Sequence, residues 1–385
     1  MKMSLLKLLG KSLIRTESCR GFSANALPAT SFATAKRTSE NNPSLHTEEQ
    51  IGLMYTVPSS DADVLFKLGG LPKSFQANIK TFGETCLMIR PSSIEILKYL
   101  KKTDYSRPAI RYVIYGKQGC GKSLTLAHIL HYAFINNFII LHVPWVWNWF
   151  RNERTEVVYS ATHSGCVDLP IVSSQWLKHF LLQNNKILSE LDLPIKKSYV
   201  WNQRENTPAG SHLTELITHG INRVKYAADC VLAIISELKE FSSEKKCKTF
   251  VAIDGYNALF GSKTNLRTED RTPVTPQMVT LTNAFLNITK QDWTNGVVIV
   301  TVDHTSANFQ ALHSHLPIYL LGKTGFEHID PFIPVEVKEY SDIELNSILD
   351  YYEDRRWLQR TSGRHELSFL TNNNPYQLMN VCGAY

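Results

Sequence analysis

The chain has 385 residues, 43% of them hydrophobic, and its 41 basic and 35 acidic side chains give a net charge of +6. Residues 1–45 hold seven bases against Glu17 and Glu40, which leaves the remainder near +1 and excludes a protein that lives mainly by contacts to a phosphate backbone; RNA contact is expected to be local and shared with protein partners. The length suits one large α/β domain with a smaller appendage, no apolar run reaches the length of a membrane span, and the seven scattered cysteines lack metal-ligand spacing and read as reduced thiols.

The first segment has the composition of a mitochondrial transit peptide. Lys2, Lys7, Lys11, Arg15, Arg20, Lys36 and Arg37 face Glu17 as the sole acid up to residue 37. On a helix Lys7, Lys11 and Arg15 share one face and Leu5, Leu9 and Leu13 lie opposite. Arg20-Gly21-Phe22-Ser23 resembles a matrix-peptidase site, with cleavage expected after Phe22. A soluble basic tail is the alternative reading. The organisation that follows is a presequence and disordered lead over 1–45, an N-terminal extension over 46–109, a nucleotide-binding core over 110–339 and a C-terminal helical lid over 340–385. Within the extension, Pro91-Ser92-Ser93 starts a helix that runs to about Lys102.

At 111–115 a β-branched and aromatic run leads into Gly116-Lys117-Gln118-Gly119-Cys120-Gly121-Lys122-Ser123, and apolar residues at helical spacing follow. Strand, glycine loop and helix together present backbone N–H groups and a helix N-terminus to a polyphosphate. Lys122 then neutralises β and γ oxygens, and Ser123 ligates Mg²⁺. A second strand, 138–143, precedes an aromatic loop, Pro144-Trp145-Val146-Trp147-Asn148-Trp149, expected to pack against the core rather than to stack bases. The 213–238 stretch has helical periodicity with a break expected near Gly220.

A third strand, 249–253, ends in Asp254, the candidate for a Walker B carboxylate that completes the metal site with Ser123. The next residue is Gly255, where an energy-coupled ATPase of the AAA type carries a water-polarising Glu, so binding is expected and fast hydrolysis is not. Catalytic candidates reduce to Asp254 and Glu205, making the chain at most a weak nucleoside-triphosphate hydrolase whose base these residues leave unspecified. A Glu at 255 is expected to raise turnover unless Gly255 occupies a positive-φ turn. Residues 261–276 read as a polar loop. Thr289-Lys290-Gln291-Asp292 matches a guanine-reading element, but it precedes the strand at 296–302 and so belongs at the edge away from the ligand. Thr301 and Asp303, at the far end of that strand, are candidates to sense a γ-phosphate. A last strand at 334–337 is followed by helix from 341 to 358, and again after Asn374-Pro375, with Asn374 as N-cap.

GKQGCGKS at 116–123, YVWNQRE at 199–205, DGYNALFG at 254–261, LGKTGFEHIDPFIP at 321–334, DYYEDRRWL at 350–358 and NPYQLM at 374–379 occur in that order. Together they make the chain resemble, from about residue 46 onward, the death-associated protein 3 family of the mitochondrial small ribosomal subunit. The resemblance implies an AAA-like P-loop NTPase core, a parallel sheet with flanking helices, plus the small C-terminal lid. It further implies guanine nucleotide (GTP or GDP) with Mg²⁺ in a largely structural role, and a place in the subunit head in the mitochondrial matrix. Small-subunit proteins and rRNA are the implied neighbours, with contacts toward the large subunit and a secondary association with apoptosis. By analogy the base would pack near Met88 to Arg90. The competing readings are an active AAA-class NTPase and an apoptotic nucleotide switch.

Overall fold

A computed structural model describes residues 33–306, 314–359 and 362–383; most of the presequence reading, including the Phe22 site, lies outside them. Five parallel strands form the centre: β1 (Ile110–Tyr115), β2 (Ile139–Val143), β3 (Thr249–Ile253), β4 (Gly296–Thr301) and β5 (Ile333–Glu336). Their order is β5-β1-β4-β3-β2, so β4 lies between the loop-bearing β1 and the carboxylate-bearing β3. The runs of β1 to β4 are mostly apolar and buried because both faces are covered, as parallel sheets require, with Arg111, His142, Thr249 and Thr301 as buried polar exceptions. Val113, Leu141, Val251 and Val298 face one core, which is filled by Trp176, Phe180, Ile234 and Phe285 from helices Pro170–Glu190, Ala227–Ser243 and Thr280–Ile288. Tyr112, Ile140, Phe250 and Ile299 face the other, under helices Pro91–Lys102 and Lys122–Ile135.

A third core joins the two ends of the chain. Met54 and Cys86, on a short antiparallel pair (Met54–Thr56 with Cys86–Met88), pack with Leu349, Tyr352, Leu378 and Cys382 from the C-terminal helices. The lead assigned to 1–45 as disordered is ordered over its last third. Arg37 makes a double hydrogen bond to Glu84 (3.0 and 2.7 Å), and the neighbouring backbone pairs with Met54 in both directions. Burial of Met54 against the C-terminal helices gives this segment something to dock on, which composition alone conceals. The expected break near Gly220 falls slightly later, where Arg223 leaves helical geometry between helices Leu213–Asn222 and Ala227–Ser243. Ser341 caps helix Asp342–Asp354 through a reciprocal bond with Glu344, and Asn374 caps helix Pro375–Gly383 by accepting from the N–H groups of Tyr376 and Gln377. Among the described residues the cysteines are free thiols, and no helix is long and apolar enough to cross a membrane.

Two histidine pairs are locked inside. His46 Nδ1 lies 2.9 Å from His128 Nε2, and His142 Nδ1 lies 3.0 Å from His179 Nε2. Burial depresses the pKa of His46, His128 and His142, and pushes His179 down to about 4. The folded protein therefore stays neutral at these sites while the unfolded chain takes up protons below about pH 6.5, so the stabilisation is present above that value and is lost as pH falls toward 4. Each histidine that remains neutral lowers stability by about 2 kcal/mol between pH 7 and pH 5. Urea unfolding at the two pH values is expected to show a clear drop in midpoint at pH 5; coincident curves would contradict the neutral buried pairs.

Candidate nucleotide-binding site

The loop leaves β1 after Tyr115 and turns on three glycines with positive φ: Gly116 (143°), Gly119 (84°) and Gly121 (100°). At Gly119 the requirement is also steric, because a Cβ would lie 2.5 Å from Asn374 Oδ1. The loop is gripped from outside. Asn374 Nδ2 donates to Gln118 O (2.8 Å), and the Tyr376 N–H donates to Gly119 O (3.1 Å). Arg90 Nη1 donates to Cys120 O, and the Lys117 ammonium pairs with Glu339 at 2.6 Å. Gly121 stands at the N-cap of helix Lys122–Ile135 with no side-chain cap, so the first N–H groups of the helix face the crevice unsatisfied by a side chain.

Lys122 is buried beneath the loop and donates to the carbonyls of Gly116 (2.9 Å) and Lys117 (3.0 Å). Burial lowers its pKa, opposed by the nearby Asp303 and Asp254 charges. Asp254, immediately after β3, is also buried; desolvation pushes its carboxyl up to about 6 against hydrogen bonds from the Ser123 and Thr301 hydroxyls. Thr301 Oγ1 donates to Asp254 Oδ1 and accepts from the Gly255 N–H at 2.9 Å. The fold thus brings the expected metal pair, Ser123 and Asp254, to one point with Thr301. Asp303 is turned to other donors, the Trp145 indole N–H (3.1 Å) and the Ser306 N–H (2.8 Å).

Gly255 has φ 71° and ψ 38°. A Cβ there would lie 2.8 Å from Trp145 Cδ1 and 3.0 Å from Asp303 Oδ2. The indole of Trp145 therefore fills the space beside Asp254 into which a Glu at 255 would extend, and the positive-φ exception anticipated for that position holds. Trp145 was missed as a site residue. A register argument could have found it: Val143 pairs with Ile253, so the residues that follow each leave the sheet side by side. The rest of the aromatic loop packs inward as expected, Trp149 against Phe285 with ring centroids 5.5 Å apart.

Glu205 is not brought to this place. It sits on a surface hairpin (Tyr199–Val200 with Asn206–Thr207), bound to Arg223 at 2.6 Å and to Asn202, and it does not line the crevice. Turn geometry in the YVWNQRE segment, not chemistry, accounts for it. Thr289 and its neighbours lie at the N-terminal side of β4, where Arg111 binds Thr289 O and Gln291 while Lys239 binds Asp292, away from the loop as the sequence argument required. Met88 and Arg90 do line the crevice.

The crevice measures about 840 Å³ and lies beyond the carboxyl ends of β1, β3 and β4. Its lining combines polar residues (Gly119, Lys122, Ser123, Asp254) with apolar and aromatic ones (Phe75, Ile79, Met88, Tyr352). Among the described residues no three His, Cys, Asp or Glu side chains converge as a metal-binding group. A divalent cation would thus depend on Ser123, Asp254 and oxygens from a bound phosphate, the donor set that suits Mg²⁺. The glycine cradle, the uncapped helix start and the buried ammonium fit a nucleotide polyphosphate.

A family model for mitochondrial ribosomal death-associated protein 3 matches residues 87–381. The chain is 39% identical over 363 residues to small ribosomal subunit protein mS29 of Bos taurus, covering 93% of this chain and 90% of that protein. It is 38% identical over 363 residues to mS29 of Mus musculus, with 93% and 92% covered. Among solved structures it is similar to the Aeropyrum pernix ORC2 protein at 14% identity, with 76% of this chain and 65% of that chain covered and a TM-score of 0.30. On the strength of the family match and the two mammalian relatives, the chain belongs to the mitochondrial ribosomal death-associated protein 3 family.

Proposed function

We propose that the protein is a nucleotide-binding structural component of the mitochondrial small ribosomal subunit, holding GTP or GDP with Mg²⁺ in the Gly116 to Ser123 loop and turning it over slowly or not at all. As a member of a mitochondrial ribosomal family it works in the mitochondrial matrix. Its neighbours in this reading are small-subunit proteins and rRNA, with contacts toward the large subunit. The near-neutral charge of the chain beyond residue 45 agrees with RNA contacts that are local and shared with protein.

The observation that carries the reading is the contrast within one site. The groups that bind phosphate and metal converge, whereas the neighbouring position where hydrolysis needs a water-orienting carboxylate is occupied by the Trp145 indole. Nucleotide binding and turnover draw on different residues, so a site can keep one without the other. Bound nucleotide when present supplies phosphate charge to the ammonium and helix start. Lys122 would neutralise it, Ser123 and Asp254 would hold the metal, and Asn374 with Tyr376 fix the loop from behind. The reading as an energy-coupled ATPase lacks a comparable anchor, since Glu205 is remote from the loop and Gly255 leaves no room for a side chain.

Lys122→Ala is expected to abolish nucleotide binding, measured by titration calorimetry with Mg·GTP; affinity within a few-fold of wild type would overturn the loop reading. Ligand at ~100 times its dissociation constant contributes about 2.7 kcal/mol to the folded state. Thermal melts should therefore show a Mg·GTP-dependent shift in wild type that the variant lacks. After gentle lysis of mitochondria, wild-type protein is expected to sediment with small subunits; recovery only at the top of the gradient would count against the ribosomal assignment.

Purified protein is expected to turn over GTP well below the ~1 per second at the low end of ordinary enzymes. Gly255→Glu should not raise that rate and should lower stability, because the new Cβ meets Trp145 at a positive φ. Wild-type turnover of about ten per second, lost in Asp254→Asn, would promote the ATPase reading instead.

A further inference from the structure

The loop amides serve phosphates that a diphosphate and a triphosphate share, and Lys122 reaches from the β to the γ oxygens. A third phosphate must extend further along the crevice, toward the carboxyl ends of β3 and β4, where Asp254 and Asp303 stand. Asp303 would repel it. Both oxygens of that carboxylate are engaged, Oδ2 by the Trp145 indole N–H (3.1 Å) and Oδ1 by the Ser306 N–H (2.8 Å). The backbone of Asp303 is also fixed, since its N–H donates to Asn257 Oδ1 (3.0 Å) and its carbonyl accepts from Asn257 Nδ2 (2.8 Å).

On the same indole sits a cation. The Arg151 guanidinium lies over the Trp145 ring, 5.5 Å from its centroid, and lines the crevice with Trp145 and Asp303. Among the described residues it has no carboxylate partner, and its side chain is exposed. Its backbone is nonetheless held. The Arg151 N–H donates to Trp147 O (3.1 Å), Asn265 Nδ2 donates to Arg151 O (2.8 Å), and the Asn265 N–H donates to Phe150 O (2.8 Å). The preceding Trp149 and Phe150 are buried. A surface arginine with a pinned backbone and a stacked side chain loses less freedom on meeting an anion than an unrestrained one.

We propose that Arg151 is the residue by which this crevice distinguishes a nucleoside triphosphate from a diphosphate, an assignment that rests on the loop reading above. Trp145 is its positioning residue: one face carries the guanidinium, the N–H edge restrains Asp303, and the ring excludes a carboxylate at 255. The charge of Arg151 then acts on affinity for the terminal phosphate rather than on turnover. The polar loop at 261–276 gains a role too, because its Asn265 holds the Arg151 backbone in place.

Calorimetric titration of the full chain with Mg·GTP and Mg·GDP, and with Mg·ATP and Mg·ADP in parallel, tests the assignment. A charge-assisted hydrogen bond to the third phosphate predicts that Arg151→Ala weakens the triphosphates by roughly ten- to a hundred-fold and changes the diphosphates by less than about three-fold. Arg151→Lys, which keeps the charge but loses the planar fork, should fall between. Trp145→Phe keeps a ring for stacking and removes the N–H from Asp303, and it should give a smaller loss in the same direction. Equal losses for both nucleotide classes, or none, while wild-type binding stays dependent on Lys122, would overturn this assignment alone. Absence of binding in wild type would overturn the loop reading and this assignment together.

Discussion

One buried cation holds the site to the rest of the molecule. The Arg90 guanidinium reaches Glu344 Oε1 through Nε (2.8 Å), the Cys120 carbonyl through Nη1 and the Lys338 carbonyl through Nη2 (2.9 Å), and it lies over the Tyr340 ring at 4.8 Å. It thereby joins the N-terminal extension, the glycine loop, the chain leaving β5 and the first C-terminal helix. Its partner is shared as well. Glu344 Oε2 accepts from the Ser341 N–H and hydroxyl, so the carboxylate that neutralises Arg90 also caps helix Asp342–Asp354. A buried pair of this kind gains little over a well-packed apolar one, but removal of either member strands the other at about 3–5 kcal/mol. The C-terminal helices therefore follow the loop: what moves Cys120 moves Arg90, and what moves Arg90 uncaps the helix.

The same dependence explains why the crevice is built from both ends of the chain. Its apolar lining uses Phe75, Ile79 and Met88 from the extension and Tyr352 from the C-terminal helices, while its polar lining comes from β1, β3 and β4. Met54 and Cys86 belong to the same buried cluster as Leu349 and Leu378, so extension and lid share one core. Boundaries at 109 and 339 describe chain order better than they describe what packs on what.

What could be read from the sequence was chemistry carried by consecutive residues. The loop, the apolar run ending in Asp254, and Asn374-Pro375 each encode their conformation locally, through glycine at positive φ, β-branched burial and a capping side chain. The displacement of Thr289 to Asp292 from the ligand side followed from strand polarity alone. What escaped notice depends on register or on distant partners. Trp145 matters because Val143 pairs with Ile253, and Arg151 because Asn265 lies over a hundred residues away in sequence. Arg37 read as leader composition, yet it is bound to Glu84. Helix Arg364–Thr371 carries little apolar signal, with Phe369 85% exposed, so periodicity gave no cue to it. Glu205 illustrates the converse error: an acid within a distinctive segment that serves only its own hairpin and Arg223.

The titrating groups of the site point the same way as its geometry. Burial lowers the Lys122 pKa and raises that of Asp254 to about 6, so each is held in a setting that disfavours its charged form. For Asp254 the sign is unfavourable at neutral pH. A carboxylate whose folded pKa is raised opposes folding increasingly as pH climbs through that value, because the unfolded chain ionises more easily. Phosphate opposite the ammonium and a divalent cation on the carboxylate would each favour the charged form that burial penalises. Lys122 and Asp254 thus cost stability on their own, and in the proposed reading nucleotide and metal would return it on binding, with no turnover required.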